Sequence, residues 1–228
     1  MSTQSRSVWW TAAVLAAALA GCGGGGGDND PDLLLGSWRK LDPVSRAVQA
    51  QLTFDPGGRV SVQAEGATSA SAGLFEADDA HLVIESTDAN DGMRYRDRYP
   101  YKVSKDRLIM RVLQPTGRHD GIVGTFKGAF SSTVLGPTGS WDKAFAVTWT
   151  ITFRADDTVR LVETPEATGA PSGGSGDDSP GTAPVVALEG TYQTIGPNAY
   201  QTSFATSTET LTLNFSLADG VIGDLYVR

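Results

Sequence analysis

Strict alternation of apolar and polar side chains is the feature of this sequence that most constrains its fold. In the clearest segment, residues 145–153, five large apolar side chains are separated by small or polar ones. Shorter segments repeat the pattern: Leu82 and Ile84; Tyr99, Tyr101 and Val103; Leu108, Met110 and Val112; Leu211, Leu213, Phe215 and Leu217. A period of two is typical of half-buried β-strands. After the N-terminal segment, no stretch of ten or more residues has helical periodicity, so the sequence predicts an all-β fold.

Turn-forming residues separate these segments and predict hairpins. Asp55-Pro56-Gly57-Gly58 lies between Leu52-Thr53-Phe54 and Val60-Ser61-Val62. Proline presets one turn torsion and glycine accepts positive φ, which favours a tight reversal. Ala155-Asp156-Asp157 occupies the same place between two later strands, and Ala218-Asp219-Gly220 predicts a further turn.

The order of these elements occurs twice, which predicts an internal repeat. Gly36-Ser37-Trp38 opens the first half and Gly124-Thr125-Phe126 opens the second. The hairpin LTFDPGGRVSV of the first half corresponds to ITFRADDTVRLV of the second. A Gly-x-aromatic motif follows in each half, Gly73-x-Phe75 and Gly190-x-Tyr192, and then a leucine-containing strand, 108–110 and 211–213. We therefore expect one β domain over residues 33–115 and a second over 122–228. One larger barrel built from both halves is the alternative.

A segment inside the second half has the composition of a disordered loop. Residues 165–184 contain no aromatic side chain and no apolar one larger than alanine or proline. Such a segment cannot bury enough apolar surface to offset the entropy of ordering. We interpret it as an expanded hairpin loop, and an interdomain linker is the alternative.

The N-terminus predicts export. Residues 1–21 hold one basic residue, Arg6, and then an apolar run from Val8 to Ala20. Thirteen residues span about 20 Å as a helix, less than the roughly 30 Å of a bilayer core, so the run predicts a signal peptide. Leu19-Ala20-Gly21-Cys22 resembles the lipobox of bacterial lipoproteins, which implies acylation of Cys22. An ordinary secretory signal is the alternative.

The residues after Cys22 predict a flexible tether. Cys22 is the only cysteine of the chain, and five glycines follow it. Glycine-rich segments behave as flexible coils, so we expect residues 22–32 to join the folded body to a bilayer. By resemblance to Gram-negative lipoproteins, the absence of aspartate at Gly23 implies the outer membrane. The protein's net charge of −8 argues against nucleic acid as a partner.

The first half also resembles the small lipocalin-like domains of bacterial lipoproteins. The resemblance lies in Leu34-Leu35-Gly36-Ser37-Trp38, Leu52-Thr53-Phe54, Gly73-x-Phe75, Tyr99-x-Tyr101 and Leu108-x-Met110. It implies two short antiparallel β-barrels or barrel-like sandwiches. It also implies that Trp38 closes one barrel end beside an arginine from a late strand, for which Arg111 is the candidate. Phe126 replaces the tryptophan in the second half.

Candidate ligand-binding or partner-binding residues lie mainly in Arg94-Tyr95-Arg96-Asp97-Arg98-Tyr99-Pro100-Tyr101. Arginine interleaved with tyrosine can hydrogen-bond and stack on a ligand or a partner. The candidates are Trp38, Arg94, Tyr95, Arg98, Tyr99, Tyr101, Trp149 and Phe153. The alternative is a strand with inward tyrosines and solvated arginines. A cavity lined by Tyr101, Trp149 and Phe153 would favour ligand binding.

No motif predicts catalysis, a metal site or a cofactor. The two histidines, His81 and His119, are interpreted as surface residues, and no Gly-x-Ser-x-Gly motif accompanies them. Asp88–Gly92 is interpreted as a turn rather than a calcium loop, and we expect acidic residues at turns rather than inside strands. The sequence thus predicts a non-catalytic envelope lipoprotein that binds a small apolar or amphipathic ligand or an envelope protein. The alternatives are a purely structural lipoprotein and, less favoured, a hydrolase.

Overall fold

The chain forms an all-β structure, as its alternating pattern predicts. The computed structural model describes residues 29–67, 70–87, 93–135, 141–165, 185–206 and 209–228. The signal peptide, Cys22 and residues 166–184 of the expected loop lie outside this range. A short 3-10 helix spans Pro31–Leu34. The strands are β1 (Gly36–Leu41), β2 (Val48–Phe54), β3 (Arg59–Ala64), β4 (Ser71–Ala77), β5 (His81–Thr87), β6 (Arg94–Val103), β7 (Arg107–Pro115), β8 (Gly124–Leu135), β9 (Trp141–Phe153), β10 (Thr158–Pro165), β11 (Val186–Gly196), β12 (Ala199–Ala205), β13 (Thr210–Ala218) and β14 (Val221–Val227).

All fourteen strands belong to one antiparallel sheet that closes into a ring. Neighbours in the chain are neighbours in the sheet, and β14 returns to pair with β1. Two further pairings join strands that are not adjacent in the ring, β7 with β14 and β6 with β8. β7 therefore contacts β6, β8 and β14, and it lies between the two halves of the chain.

The predicted hairpins are confirmed, and their turn residues explain them. β2 pairs with β3, β9 with β10, and β13 with β14. In the first hairpin the Asp55 carboxylate accepts hydrogen bonds from the amides of Gly57 (2.8 Å) and Arg59 (3.0 Å). Gly58 has a φ of 74°, in the left-handed region that glycine adopts without strain.

The buried residues form two main cores, one in each half. The first core lies around Trp38, Phe54 and Tyr99 and includes the 3-10 helix residue Leu34. The second core lies around Phe126, Phe153 and Phe204. Each core is built mainly from the inward face of its own half's strands, which is the consequence of the period-two pattern, although Leu113 of β7 packs in the second core and Tyr226 of β14 against the first.

Corresponding residues of the two halves have the same strand register. Gly36 lies opposite Phe54 in the β1–β2 pair, and Gly124 lies opposite Phe153 in the β8–β9 pair. The rings of Phe54 and Phe75 are 4.9 Å apart, edge to face. The matching rings of Phe153 and Tyr192 are 5.1 Å apart in the same arrangement.

One correspondence inferred from the sequence is wrong. Leu108–Met110 lies in β7, the last strand of the first half, whereas Leu211–Leu213 lies in β13, the last but one of the second. By strand order the counterpart of β7 is β14. The leucine pattern misleads because β14 presents Val-Ile-Gly-Asp at the corresponding place.

A β-bulge in β7 transfers the strand from one core to the other. The register between β7 and β14 shifts between Ile222 and Asp224, and Arg111 has a φ of 54°. Leu108 and Met110 face the first core, while Leu113 faces the second. The simple alternation expected over Leu108, Met110 and Val112 is therefore wrong, because the bulge moves Val112 into a small cluster with Ile109 and Val221.

The expected tether ends earlier than Asp32. Asn29 donates hydrogen bonds from its side-chain amide to the Asp79 and Tyr101 carbonyls, both at 2.9 Å, and its side-chain oxygen accepts from the Val103 amide at 3.0 Å. Asp30 caps the 3-10 helix that follows. These contacts attach residues 29–32 to the body. Within the described residues, no helix is long and apolar enough to cross a bilayer.

Candidate functional site

The candidate site is a cavity inside the first half of the ring. The empty space in and around it is about 630 Å³, a figure that includes open solvent at its mouth. Its apolar wall consists of Leu52, Val60, Val62, Ile84 and Met110, with β4 contributing residues 71–73. Its polar lining consists of Ser86, Tyr99, Arg111, Asp224 and Tyr226. An apolar pocket with a few polar groups is the usual form of a small-molecule site.

The cavity lies away from the end of the first core that Trp38 closes. Trp38 is the third residue of β1, is fully buried, and donates a hydrogen bond from its indole nitrogen to the Leu34 carbonyl at 2.7 Å. Ser71 begins β4 and Ser86 is the last residue but one of β5. Because neighbouring strands are antiparallel, both serines lie at the end of the strands opposite Trp38.

A buried ion-pair network forms one wall of the cavity. The Asp224 carboxylate, with 7% of its side chain exposed, pairs with Lys40 Nζ at 2.6 Å and with the Arg111 guanidinium. These residues come from β14, β1 and β7 respectively, so the network joins the two ends of the chain to its middle. The bulge at Arg111 brings the guanidinium into the first half.

The two cations keep Asp224 ionised. Burial alone raises the pKa of its carboxyl, but Arg111 and Lys40 outweigh that effect and hold the pKa below its ordinary value. Burial also raises the pKa of the Tyr99 and Tyr226 hydroxyls. Both tyrosines are therefore neutral hydrogen-bonding groups beside the network.

Asp97 is a second buried carboxyl near the same guanidinium. It lies on the inward face of β6, with 3% of its surface exposed, opposite Ser132 of β8. Burial raises the pKa of the Asp97 carboxyl to about 6, although a hydrogen bond from Ser132 and the charge of Arg111 both act to lower it. Asp97 thus titrates near neutral pH, unlike an ordinary aspartate.

The Ser86 hydroxyl is the unsatisfied polar group of the cavity. Ser86 is 6% exposed, and its oxygen has no hydrogen-bond partner within the described residues. Buried hydroxyls are nearly always hydrogen-bonded, and each exception calls for an explanation. A polar group of a bound molecule would supply the partner that the chain does not.

The tryptophan at the closed end has an arginine partner, but it is not Arg111. The guanidinium of Arg228 stacks over the Trp38 ring, with its carbon 4.6 Å from the ring centroid. Arg111 instead pairs with Asp224. The expectation for Arg111 is wrong because the first half is closed by β14 from the far end of the chain, and Arg228 follows that strand.

Of the candidates in β6, Tyr99 lines the cavity. Tyr101 is also buried, but its hydroxyl donates to the Asp78 carbonyl at 2.7 Å. Arg98 is exposed, and one of its guanidinium nitrogens lies 2.9 Å from His81 Nδ1. Arg94 and Tyr95 are half-buried near the start of the strand. The tyrosines of β6 therefore mostly face inward. This arrangement is the alternative stated above, a strand with inward tyrosines and solvated arginines.

Trp149 and Phe153 belong to the second half and do not line this cavity. Trp149 donates a hydrogen bond to Glu163 at 3.1 Å and packs edge to face on Phe130 at 5.4 Å. Phe153 is 1% exposed and packs edge to face on Tyr192 and Phe215. The second core is thus filled by its own aromatic rings.

The histidines contact no serine or threonine in the hydrogen bonds of the described residues. His81 lies beside Arg98 and 3.6 Å from the Asp78 carboxylate. His119 Nδ1 lies 3.0 Å from the Gly121 carbonyl, and its ring packs on Phe126. No group of three or more potential metal ligands occurs among the described side chains. Residues 88–92, interpreted as a turn, lie outside the described range.

Sequence reasoning missed the polar residues that matter most here. Asp97, Glu85 and Asp224 are buried inside strands, so the expectation that acidic residues lie at turns is wrong. The alternation of inward and outward positions along a strand could have identified two residues that were missed, Asp97 and Ser86. Asp97 shares its face with Tyr99 and Tyr101, and Ser86 shares its face with Leu82 and Ile84.

Comparisons with family models, with curated proteins and with solved structures find no match to this chain.

Proposed function

We propose that this protein is a non-catalytic lipoprotein of the bacterial envelope that binds a small amphipathic ligand in the cavity of its first half. The observation that carries the proposal is a largely apolar cavity whose wall includes a buried Ser86 hydroxyl without a hydrogen-bond partner among the described residues. A ligand with one polar end and an apolar body complements both parts of that lining.

We further propose that the ring is a duplication of a seven-strand, lipocalin-like unit, with domains over 33–115 and 122–228. The equal registers of Gly36 with Phe54 and of Gly124 with Phe153 support it. The two aromatic pairs with similar geometry support it as well. In this view the last strand of each unit, β7 or β14, is shared between the units.

The two units have different roles in this proposal. The second core packs Phe126, Phe153 and Phe204 at 0–1% exposure, which favours a structural role for that half. It supports the strands β7 and β14, and these carry Arg111 and Asp224 of the cavity. A wholly structural protein is the alternative to ligand binding.

Native mass spectrometry tests the binding function. The polypeptide from Gly23 to Arg228 keeps every described residue and lacks the predicted signal peptide and Cys22, the proposed site of acylation. We expect it to retain a small molecule from the expressing bacterium. Val62→Phe, which fills the cavity, should abolish the added mass, whereas Ser61→Phe, on the opposite face of the same strand, should keep it. A bare mass for the unchanged chain, together with a more stable Val62→Phe variant, would favour the structural alternative.

Metabolic labelling tests the anchor. Cys22 lies outside the described residues, and its proposed acylation rests on the lipobox-like Leu19-Ala20-Gly21-Cys22. We expect radiolabelled palmitate to enter the full-length protein, and the labelled protein to sediment with outer membranes. Cys22→Ala should abolish both. Equal labelling of the two proteins, or no labelling of either, would refute the anchor without bearing on the cavity.

A further inference from the structure

The ion-pair network beside the cavity has a net positive charge, because Lys40 and Arg111 both pair with the single carboxylate of Asp224. Three charged groups beside the cavity differ in how much of their surface is exposed to solvent. The Arg111 side chain is 38% exposed, whereas that of Asp224 is 7% exposed, and Asp97 as a whole is 3% exposed. Arg111 and Asp224 both line the cavity, and the guanidinium is the more exposed of the two, whereas Asp97 is not among the lining residues.

The Ser86 hydroxyl adds a neutral hydrogen-bonding group to this cation. It lies near the end of β5, and Met110 and Arg111 of β7 belong to the same cavity lining. A hydroxyl can donate to an oxygen of a ligand, and a guanidinium prefers an anionic oxygen. The remaining wall, with Leu52, Val60 and Ile84, suits an apolar chain.

Asp97 does not line the cavity, but the charge of the Arg111 guanidinium acts on its carboxyl. The groups that act on it are Ser132 of β8 and Arg111 of β7. Asp224 and Tyr226 of β14, and Tyr99 of β6, also act electrostatically on Arg111. The β5 residue opposite Asp97 is the apolar Ile84. An anion placed against Arg111 adds negative charge near Asp97 and offsets the cation that favours its ionised form.

We propose that the ligand is an anionic amphiphile, whose charged end lies against Arg111 and Ser86, and that Asp97 takes up a proton when it binds. The inference rests on the binding function proposed above and names the class of ligand and its regulation. One proton passes from solvent to the Asp97 carboxylate for each anion bound, so the net charge of the site is unchanged.

The coupling predicts tighter binding at lower pH. Above the pKa of Asp97, each complex formed requires a proton, so the affinity for the anion falls by up to about tenfold for each pH unit. Between pH 8 and pH 6 we expect the dissociation constant of an anionic ligand to decrease by at least about tenfold. A neutral ligand of equal chain length should show little change.

Isothermal titration calorimetry of the Gly23–Arg228 polypeptide tests both parts. The probes are octane-1-sulfonate, which stays ionised over this pH range, and 1-octanol as the matched neutral compound. Titrations at pH 7 in two buffers of different ionisation enthalpy count the protons taken up. We expect the sulfonate to bind more tightly than the alcohol, with uptake approaching one proton. Binding of the alcohol should be accompanied by no proton uptake, and Asp97→Asn should abolish the uptake seen with the sulfonate.

The failures are distinguishable from one another. Tighter binding of 1-octanol than of the sulfonate would overturn the anionic class and leave the binding function standing. Sulfonate binding without proton uptake by the unchanged protein would overturn the coupling, whatever the stability of Asp97→Asn. Uptake that persists in Asp97→Asn would also overturn it. If neither probe binds and no molecule is retained in native mass spectrometry, the binding function itself fails.

Discussion

The shifted pKa of Asp97 makes the stability of the protein depend on pH. The Asp97 carboxyl has a pKa of about 6 in the folded protein, against an ordinary 3.8. Between these values the folded state binds a proton that the unfolded state lacks, so the free energy of unfolding increases as the pH falls from about 7 to about 4. The full effect is about 3 kcal/mol.

Asp97→Asn should remove this dependence. The amide keeps a polar group beside Ser132 without a charge to bury, so the variant should be more stable than the unchanged protein at pH 7.5, by up to about 3 kcal/mol, and similar to it near pH 4. Urea denaturation at both pH values measures the difference. A variant that is less stable at pH 7.5 would show that the ionised carboxylate stabilises the fold.

Arg228 should contribute to closing the first core. Its guanidinium stacks on Trp38 and donates hydrogen bonds to the Leu33 (2.7 Å) and Leu35 (3.1 Å) carbonyls. Arg228→Ala should lower the free energy of unfolding by about 2 kcal/mol. Arg228→Lys, which keeps the charge but not the planar fork, should recover less than half of it. Urea midpoints that are unchanged by Arg228→Ala would contradict this role.

At this scale the sequence predicts which side chains face inward, but not how the polar ones pair. The parity of β6 places Tyr99 and Tyr101 inside, and the structure agrees. The partner of Trp38 follows the last strand, and Asp224 joins cations from two distant strands. Such pairings depend on which strands meet, and local periodicity carries no information about that.

The β7–β14 pair depends on a close approach of the two strands at Gly223. A Cβ atom on Gly223 would lie 2.7 Å from the Met110 carbonyl oxygen and 2.8 Å from a methyl carbon of Ile109. Gly223→Ala should therefore force the two strands apart and lower the free energy of unfolding by about 2 kcal/mol.

Gly117→Ala is the matched control for the strand contact. A Cβ at Gly117 meets no atom within 4 Å, so this variant should change stability by less than about 0.5 kcal/mol. Thermal unfolding followed by circular dichroism compares the two. Equal melting temperatures would show that β7 and β14 can separate without cost.

Hairpins were predictable because each depends on a few adjacent residues. Asp55 and Gly58 specify the β2–β3 turn by local hydrogen bonds and a local torsion. The pairing of β7 with β14 joins segments about a hundred residues apart and includes a bulge at a non-glycine residue, Arg111. The sequence has no local turn signal for either, so the arrangement of the cavity wall could not be derived from it.

The whole molecule should unfold as one unit, because neither half has a complete set of strands. The first half needs β14 beside β7 and β1, and the second needs β7 beside β8 and β14. Residues 23–121 and 122–228, expressed separately, should each leave strand edges unpaired and fail to give dispersed amide NMR spectra. Co-expression should yield a complex with the spectrum of the intact protein. A dispersed spectrum from either fragment alone would show that the halves fold independently.

The attachment of Asn29 also bears on where a ligand would come from. Asn29 is hydrogen-bonded to Tyr101 and Val103, at the end of β6 nearest Trp38, and residues 23–28 separate it from Cys22. Even when fully extended, the segment from Cys22 to Asn29 spans at most about 25 Å. With the proposed lipid anchor in place, the end that Trp38 closes would sit over the bilayer and the cavity would point toward the aqueous compartment. The ligand would then enter and leave through the aqueous compartment, and would not be extracted directly from the lipid leaflet that holds the anchor.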